Sequence, residues 1–474
     1  MTDPVSVTPA PGKPLLLLGA FDIGSVGYAA EEFFVSGTAR SYAPAAELGD
    51  DGRWAVKPCG TADYTTRMVV LAPADPALCA DFNGTVLVEW LNVSGGIDAP
   101  AVWMMAHREI IRSGYAYVAV SAQRVGVEGG TSMLGVDMSL KSQDPARYAS
   151  LRHPGDDFSY DIFSQIGALL ASPERADVLR GLRPRRVVAV GESQSAMYLT
   201  TYINAVDPVA EVYDGFLVHS RFGSAAPLDG SSIFDETGSP QAVPFRPDLR
   251  VPLLTVITET DLFSAAREGY FFARQPDNER LRVWEIPGAA HADNYTIQVA
   301  PIDSGSAALA DIVAAYAPTN TLMGQQLSHY INFGPQHHYV VQAAVAALNA
   351  WVHTGEPAPA APVIEVSGAA QPQPVLDSHG LARGGVRTPW VDIPVARTSG
   401  LVGSAGAPES LMALIFGSGE PFDAATVNRL YPNGAEQYLE RFTAALDAAI
   451  GAGFVLSADR AEILELAAAT YPGG

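Results

Sequence analysis

Between Thr85 and Pro287 the chain carries six short apolar runs, separated by stretches long enough to hold helices or long turns. They are TVLVEWL (Thr85–Leu91), YAYVAVSA (Tyr115–Ala122), RVVAV (Arg186–Val190), GFLVHS (Gly215–Ser220), LLTVIT (Leu253–Thr258) and LRVWEIP (Leu281–Pro287). Val187–Val190 and Leu253–Ile257 are apolar without polar alternation. A strand of that kind must be covered on both faces, and parallel sheets with crossover helices provide the cover. The rhythm therefore predicts an α/β chain with a mostly parallel central sheet flanked by helices. Upstream, EEFFVSGTARSYAP (Glu31–Pro44) and YTTRMVVLAP (Tyr64–Pro73) are rich in β-branched and aromatic residues between turn formers, so the chain opens with a β-rich segment.

The chemistry concentrates where RVVAV runs into Gly191-Glu192-Ser193-Gln194-Ser195 and then AMYL, which opens a helix. Strand, sharp turn, helix is the setting of an activated serine: the bend lifts the hydroxyl above the sheet edge. Positions two before and two after must be small, and Gly191 and Ser195 are. The same turn aims the Gln194 amide and the helix N-terminus at the point where an oxyanion would form. Ser193 is therefore the candidate nucleophile and Gln194 the first oxyanion donor.

A free hydroxyl is a poor nucleophile at neutral pH and needs a base. His291 follows the last apolar run and a small-residue loop, PGAAHAD, where an imidazole can reach back over the sheet edge. His219 and the pair His337-His338 are rivals. The orienting acid should end the preceding strand, and VITETDLF offers two, Glu259 and Asp261. Asp261, three residues after Thr258, fits the commoner spacing; Glu259 then hydrogen-bonds the loop or caps the next helix. A second oxyanion donor belongs to the polar, glycine-rich loop after TVLVEWL, with the Val93 amide best placed and Asn92 and Ser94 in support.

Composition narrows the partners. Fifty-one acidic residues against 29 basic give a net charge of −22, which disfavours nucleic acid and anionic membranes as partners. No run approaches the ~20 apolar residues of a membrane span. The N-terminus lacks a basic region, and Leu15–Leu18 is too short for a signal segment, so a cytoplasmic protein is expected. Cys59 and Cys79 are too few for a disulfide scaffold and match no zinc spacing; free thiols are expected, with a pairing left open. No metal-binding or nucleotide-binding motif is present, and the neighbouring side chains of His337-His338 point apart on a helix. No metal or cofactor is expected.

After His291 the pattern changes. Helices are expected over Ala307–Ala317 and Tyr339–Val352, then a Pro-rich linker, EPAPAAP (Glu356–Pro362). This divides the chain into a core, 1–355, with a helical insertion after about 294, and a C-terminal extension, 356–474, packing on the core and contributing to a cap. The extension is expected to hold strands around Val363–Val366 and Trp390–Val395, an amphipathic helix over Ala435–Ile450, and a second helix N-capped by Ser457.

Seven segments together resemble the bacterial α/β-hydrolase domain-containing proteins, an esterase-like group: EEFFVSGTARSY, FNGTVLVEWLNVSGG, YASLRHPGDDFSYDIFSQIG, VAVGESQSA, VPLLTVITETDLF, VWEIPGAAHAD and GGVRTPWVDIPVA. The resemblance implies an α/β-hydrolase fold with Ser193, His291 and Asp261 or Glu259 as a triad. It also implies that His153–Asp157 and Asp161 lie near the pocket, although the residues themselves read as a helix N-terminus with capping acids. The expected activity is cleavage of a small carboxylic ester through an acyl-enzyme. An acyltransferase or lactonase using the same triad, and an inactive binding protein on this scaffold, are the alternatives.

Overall fold

The computed structural model describes residues 5–74, 82–233, 242–263, 268–402 and 411–472, apart from the side chains of residues 174–176 and 411–412. Nine strands form one sheet: β1 (Ser6–Pro9), β2 (Tyr28–Pro44), β3 (Val56–Pro73), β4 (Thr85–Trp90), β5 (Ala116–Val120), β6 (Arg186–Glu192), β7 (Gly215–His219), β8 (Leu253–Thr258) and β9 (Leu281–Ile286). Their spatial order is β1-β2-β3-β5-β4-β6-β7-β8-β9. Every pairing from β5 to β9 is parallel, whereas β1, β2 and β3 extend the sheet antiparallel. The six apolar runs are the six parallel strands. The N-terminal ribbon is longer than expected, because β3 begins at Val56 rather than Tyr64.

The absence of alternation has the predicted cause. Val188 and Val190 pack into one hydrophobic cluster with Trp103, Ile110 and Leu348, while Val187 and Ala189 pack into another with Ile162, Phe163 and Leu199. The first cluster lies under helices α1 (Ala101–Arg112) and α5 (Gln336–Thr354), the second under α2 (Ser159–Ala171) and α3 (Gln194–Thr201). Each face of the sheet is thus a core, and at ~25 cal/mol per Å² of apolar surface these two layers dominate the stability. Glu89, buried in β4, accepts from the Val102 and Trp103 amides at 2.8 and 3.0 Å, so a strand carboxylate satisfies the open N-terminus of α1.

Beyond His291, α4 (Leu309–Ala315) and α5 form as expected. The Pro-rich linker is not loose: the Trp284 indole donates to Pro359 O (2.8 Å) and Arg282 Nε to Ala358 O (2.8 Å), which lays it along β9. Helices α6 (Ala435–Gly451) and α7 (Arg460–Thr470) enclose their own cluster, with Tyr438, Phe442, Leu446 and Ile463 packed on Tyr339 of α5.

Three expectations here need correction. Trp390–Val395 is not a strand: Pro389 opens a helical turn, Pro389–Asp392, and the strand begins only at Ala396, pairing with Ser418–Pro421. Proline's fixed φ suits the first helical position, and its missing N–H costs nothing there. In Val363–Val366 only Val366 joins a paired strand, with Ile364 making a single bridge to Gly384. Ser457 does not cap a helix with its side chain; it opens a 3₁₀ turn, Ser457–Asp459, that leads into α7.

Candidate active site

β6 ends at Glu192 and α3 begins at Gln194, so Ser193 must take the whole bend alone. Its backbone sits at φ 56°, ψ −117°, a conformation that costs a non-glycine residue ~1–3 kcal/mol. Gly191 is favoured by contact: a Cβ there would lie 2.9 Å from Leu199 Cδ1, so that buried side chain would have to shift. Ser195 is more than small. Its hydroxyl donates to Glu192 O (2.8 Å) and accepts from Glu192 N (3.3 Å), bracing the bend from within. The Ser193 amide donates to His219 O at 3.0 Å, which ties the bend to β7.

Ser193 Oγ lies 2.8 Å from His291 Nε2, and His291 Nδ1 lies 2.5 Å from Asp261 Oδ1. Asp261 is fully buried, and its other oxygen accepts from the Thr258 amide and hydroxyl at 2.8 and 2.7 Å. The ring of Phe222 stacks on His291 at 5.2 Å. Burial disfavours the imidazolium, but the charges of Asp261 and then Glu192 outweigh it, and the His291 pKa is raised above its ordinary value. Nδ1–H pointing at Asp261 leaves Nε2 as the acceptor that faces Ser193.

The loop after β4 comes over the same spot. The Val93 amide faces Gln194 Oε1 at 3.3 Å, and Asn92 Oδ1 accepts from the Ser94 amide at 2.8 Å. Asn92 Nδ2 reaches both Glu192 O (3.2 Å) and Glu192 Oε2 (3.1 Å). A cavity of about 370 Å³ opens onto Ser193 and His291. Its wall is mainly Met, Ile, Leu and Phe, including Met104, Met133, Met138, Met197 and Met323, and among the described residues no Lys or Arg lines it. Among the described residues no group of three His, Cys, Asp or Glu is arranged to hold a metal ion.

The α/β-hydrolase domain family model matches residues 1–465. The chain belongs to that family. Among solved structures, this α/β-hydrolase is similar to a thermostable esterase from Pseudomonas putida (14% identity, TM-score 0.27, 51% of this chain and 66% of that one). It is also similar to a ferulic acid esterase from Streptomyces cinnamoneus (14%, 0.34, 69% and 92%). A third is a peroxisomal α/β-hydrolase from Saccharomyces cerevisiae (11%, 0.29, 56% and 83%). The match spans just under two thirds of the Pseudomonas chain, and similarities this distant say nothing of activity. No curated protein matches the sequence.

The rival residues of this α/β-hydrolase sit elsewhere. Glu259 is buried and accepts from Gly288 N (2.5 Å), Ser399 Oγ (2.7 Å) and Gly400 N (2.9 Å), so it clamps two loops and does not meet His291. His219 Nε2 pairs with His337 Nε2 at 2.8 Å, and burial holds the His219 pKa well below normal. His338 stacks on Tyr295 at 3.7 Å, on the other side of α5. The segment His153–Asp157 and Asp161 lines no part of the Ser193 cavity. Asp156 receives the Arg124 amide (2.7 Å) and Asp161 the Arg40 amide (2.8 Å) and Tyr42 hydroxyl (3.0 Å). These acids occupy the first turns leading into α2, yet they hold neighbouring segments rather than cap it. Cys59 is an exposed free thiol, and Cys79 lies outside the described residues.

Sequence reasoning missed two contributions. The loop carrying Met133, Leu134 and Met138 walls the cavity, as do Ile415 and Phe416, whereas none of α6 or α7 does. Glu192 was legible only as the second letter of the Gly191–Ser195 motif. Its carboxylate lies 3.4 Å from His291 Nε2, and burial lifts its pKa to about 7 against the pull of His291 and Asn92.

Proposed function

We propose that this α/β-hydrolase cleaves neutral carboxylic esters through an acyl-enzyme on Ser193. The observation that carries the reading is the unbroken run from Ser193 Oγ through His291 to Asp261, at 2.8 and 2.5 Å, on the wall of an apolar cavity. His291 takes the Ser193 proton as Oγ attacks the ester carbonyl. Asp261 fixes the ring tautomer and offsets the imidazolium charge. The Gln194 and Val93 amides receive the oxyanion, which displaces Gln194 Oε1 from its long contact with Val93. His291 then protonates the leaving alcohol, and a water activated by the same nitrogen releases the acid.

The cavity supports a neutral substrate: among the described residues no Lys or Arg lines it to offer a counter-charge for a carboxylate or phosphate group. Flexible thioether side chains instead suit unbranched apolar chains. A cavity of about 370 Å³ lies in the range of pockets that take small molecules. Residues 294–334 and the short helix Leu411–Ile415 with Phe416 serve as the cap, with α7 packed on α4 behind it.

A panel of nitrophenyl esters from acetate to decanoate, with wild type and Ser193→Ala, tests the reading. Activity peaking at an intermediate chain length and vanishing in Ser193→Ala is expected. Ester turnover that survives the substitution contradicts it. Product analysis with added alcohols distinguishes hydrolysis from acyl transfer, and cyclic esters in the same panel distinguish a lactonase.

A further inference from the structure

Glu192 is a carboxylate that the triad does not use. It sits in the wall of the cavity beside Ser193, 9% exposed, with Oε1 3.4 Å from the same His291 nitrogen that faces the serine. Asn92 holds its other oxygen and its main-chain carbonyl together. Among the described residues no Lys or Arg pairs with it; its one ion-pair partner is His291.

In the acyl-enzyme Ser193 no longer has a hydrogen to give Nε2, and where Glu192 is ionised and His291 neutral a lone pair at Nε2 faces an acceptor-only carboxylate, so no proton lies between the two atoms. Something carrying two hydrogens satisfies both. Acyl-enzyme hydrolysis supplies such a molecule, because the attacking water must give one hydrogen to Nε2 and point its lone pair at the acyl carbon. Its second hydrogen needs an acceptor, and among the described lining residues Glu192 is the one carboxylate, the other polar side chains beside the triad being the neutral Asn92, Ser94, Gln194 and Thr296.

We propose that Glu192 is a catalytic residue of deacylation, accepting the second hydrogen of the water that His291 deprotonates, with Asn92 as its positioning residue. The inference rests on the acyl-enzyme reading above. In the step, water oxygen bonds to the acyl carbon and its first proton passes to His291 Nε2. The tetrahedral oxyanion then collapses, the bond from carbon to Ser193 Oγ breaks, and His291 returns the proton to Oγ. Glu192 transfers nothing; it orients. In acylation the Ser193 hydroxyl brings a single hydrogen, which His291 passes to the leaving oxygen, so no second hydrogen needs an acceptor and the two half-reactions differ in their dependence on this side chain.

Stopped-flow release of nitrophenolate from a nitrophenyl ester at pH 8 separates them, the fast phase reporting acylation and the slow phase deacylation. Glu192→Gln is expected to slow deacylation about tenfold or more and change acylation less than about threefold. Asn92→Ala, which keeps the carboxylate but frees it, is expected to show the same selective loss in smaller measure. Hydroxylamine, a stronger nucleophile than water, is expected to restore turnover in Glu192→Gln more than in wild type. Labelling of Glu192→Gln by a fluorophosphonate at the wild-type rate reports an intact elbow. Equal slowing of both phases, or an unchanged slow phase in a variant that labels normally, overturns the proposal. Failure of wild type itself to form an acyl adduct on Ser193 overturns the acyl-enzyme reading and this inference with it.

Discussion

Asp261 spends one carboxylate oxygen on Thr258 and the other on His291: Oδ2 accepts from the Thr258 amide and hydroxyl, and Oδ1 lies 2.5 Å from His291 Nδ1. The Thr258–Asp261 turn therefore sets the angle at which the carboxylate meets the ring. Glu259, two residues earlier and equally buried, leaves the strand end in the other direction and holds Gly288 and Gly400. The two acids should separate cleanly in mutagenesis. Asp261→Asn is expected to lower kcat by ~10³–10⁴ with little effect on melting, because the wrong tautomer is held in the right shape. Glu259→Ala leaves two buried amides and the part-buried Ser399 hydroxyl without an acceptor and is expected to cost ~2–4 kcal/mol of stability, with kcat of the folded protein within about tenfold of wild type. Thermal melts and ester kinetics on both variants check this; a reversed pattern refutes the assignment.

The pH profile carries a sign. His291 acts as a base only when neutral, and its pKa is raised, burial opposing the shift and the charges of Asp261 and Glu192 producing it. The value of kcat/KM should fall as pH drops through a point above the ordinary histidine value of ~6.5. Removing a neighbouring negative charge must move that point down, so Asp261→Asn and Glu192→Gln should both retain their own activity to lower pH than wild type. Profiles that stay put, or move up, contradict the electrostatics.

Stability should respond to the same groups. Glu192 has a folded-state pKa of about 7, above the ~4.3 of an unfolded glutamate. The folded state thus holds its proton more tightly, and stability falls as pH rises through that window. His291, raised above its unfolded value, contributes stability at low pH that is likewise lost as pH rises through its folded value. Denaturant titrations between pH 4.5 and 8 should therefore show a shallower decline for Glu192→Gln than for wild type. An equal or steeper decline counts against the buried-carboxylate account.

Gln194 contributes its backbone, not its side chain, to the proposed oxyanion site. The carbonyl Oε1 merely fills the space before the Val93 amide at 3.3 Å. Gln194→Ala is expected to keep kcat within about fivefold, whereas loss of an oxyanion donor costs ~10²–10³. A drop of the larger size would mean that the side chain itself takes part.

What could be read from the sequence was what local pattern encodes. Val187–Val190 announced a strand covered on both faces, the Gly191–Ser195 spacing announced a bend, and Thr258–Asp261 announced the turn that holds the acid. Long-range pairings outside the motifs of the triad were not legible. Asn92 and Glu192 stand 100 positions apart, and His219 and His337 118 apart; only folding brings them together. The cavity wall around Met133–Met138 comes from a loop with no periodicity to detect. Trp390–Val395 misled because its β-formers lie one residue past Pro389, and the backbone preference of that proline decided the conformation.

Tandem mass spectrometry of the protein after fluorophosphonate treatment decides which hydroxyl attacks. A single adduct on Ser193, absent in His291→Ala and accompanied by loss of ester turnover in proportion to labelling, is the result expected of a serine held 2.8 Å from its base. An adduct on Ser195 or elsewhere, or full ester turnover in protein whose Ser193 is labelled, contradicts it.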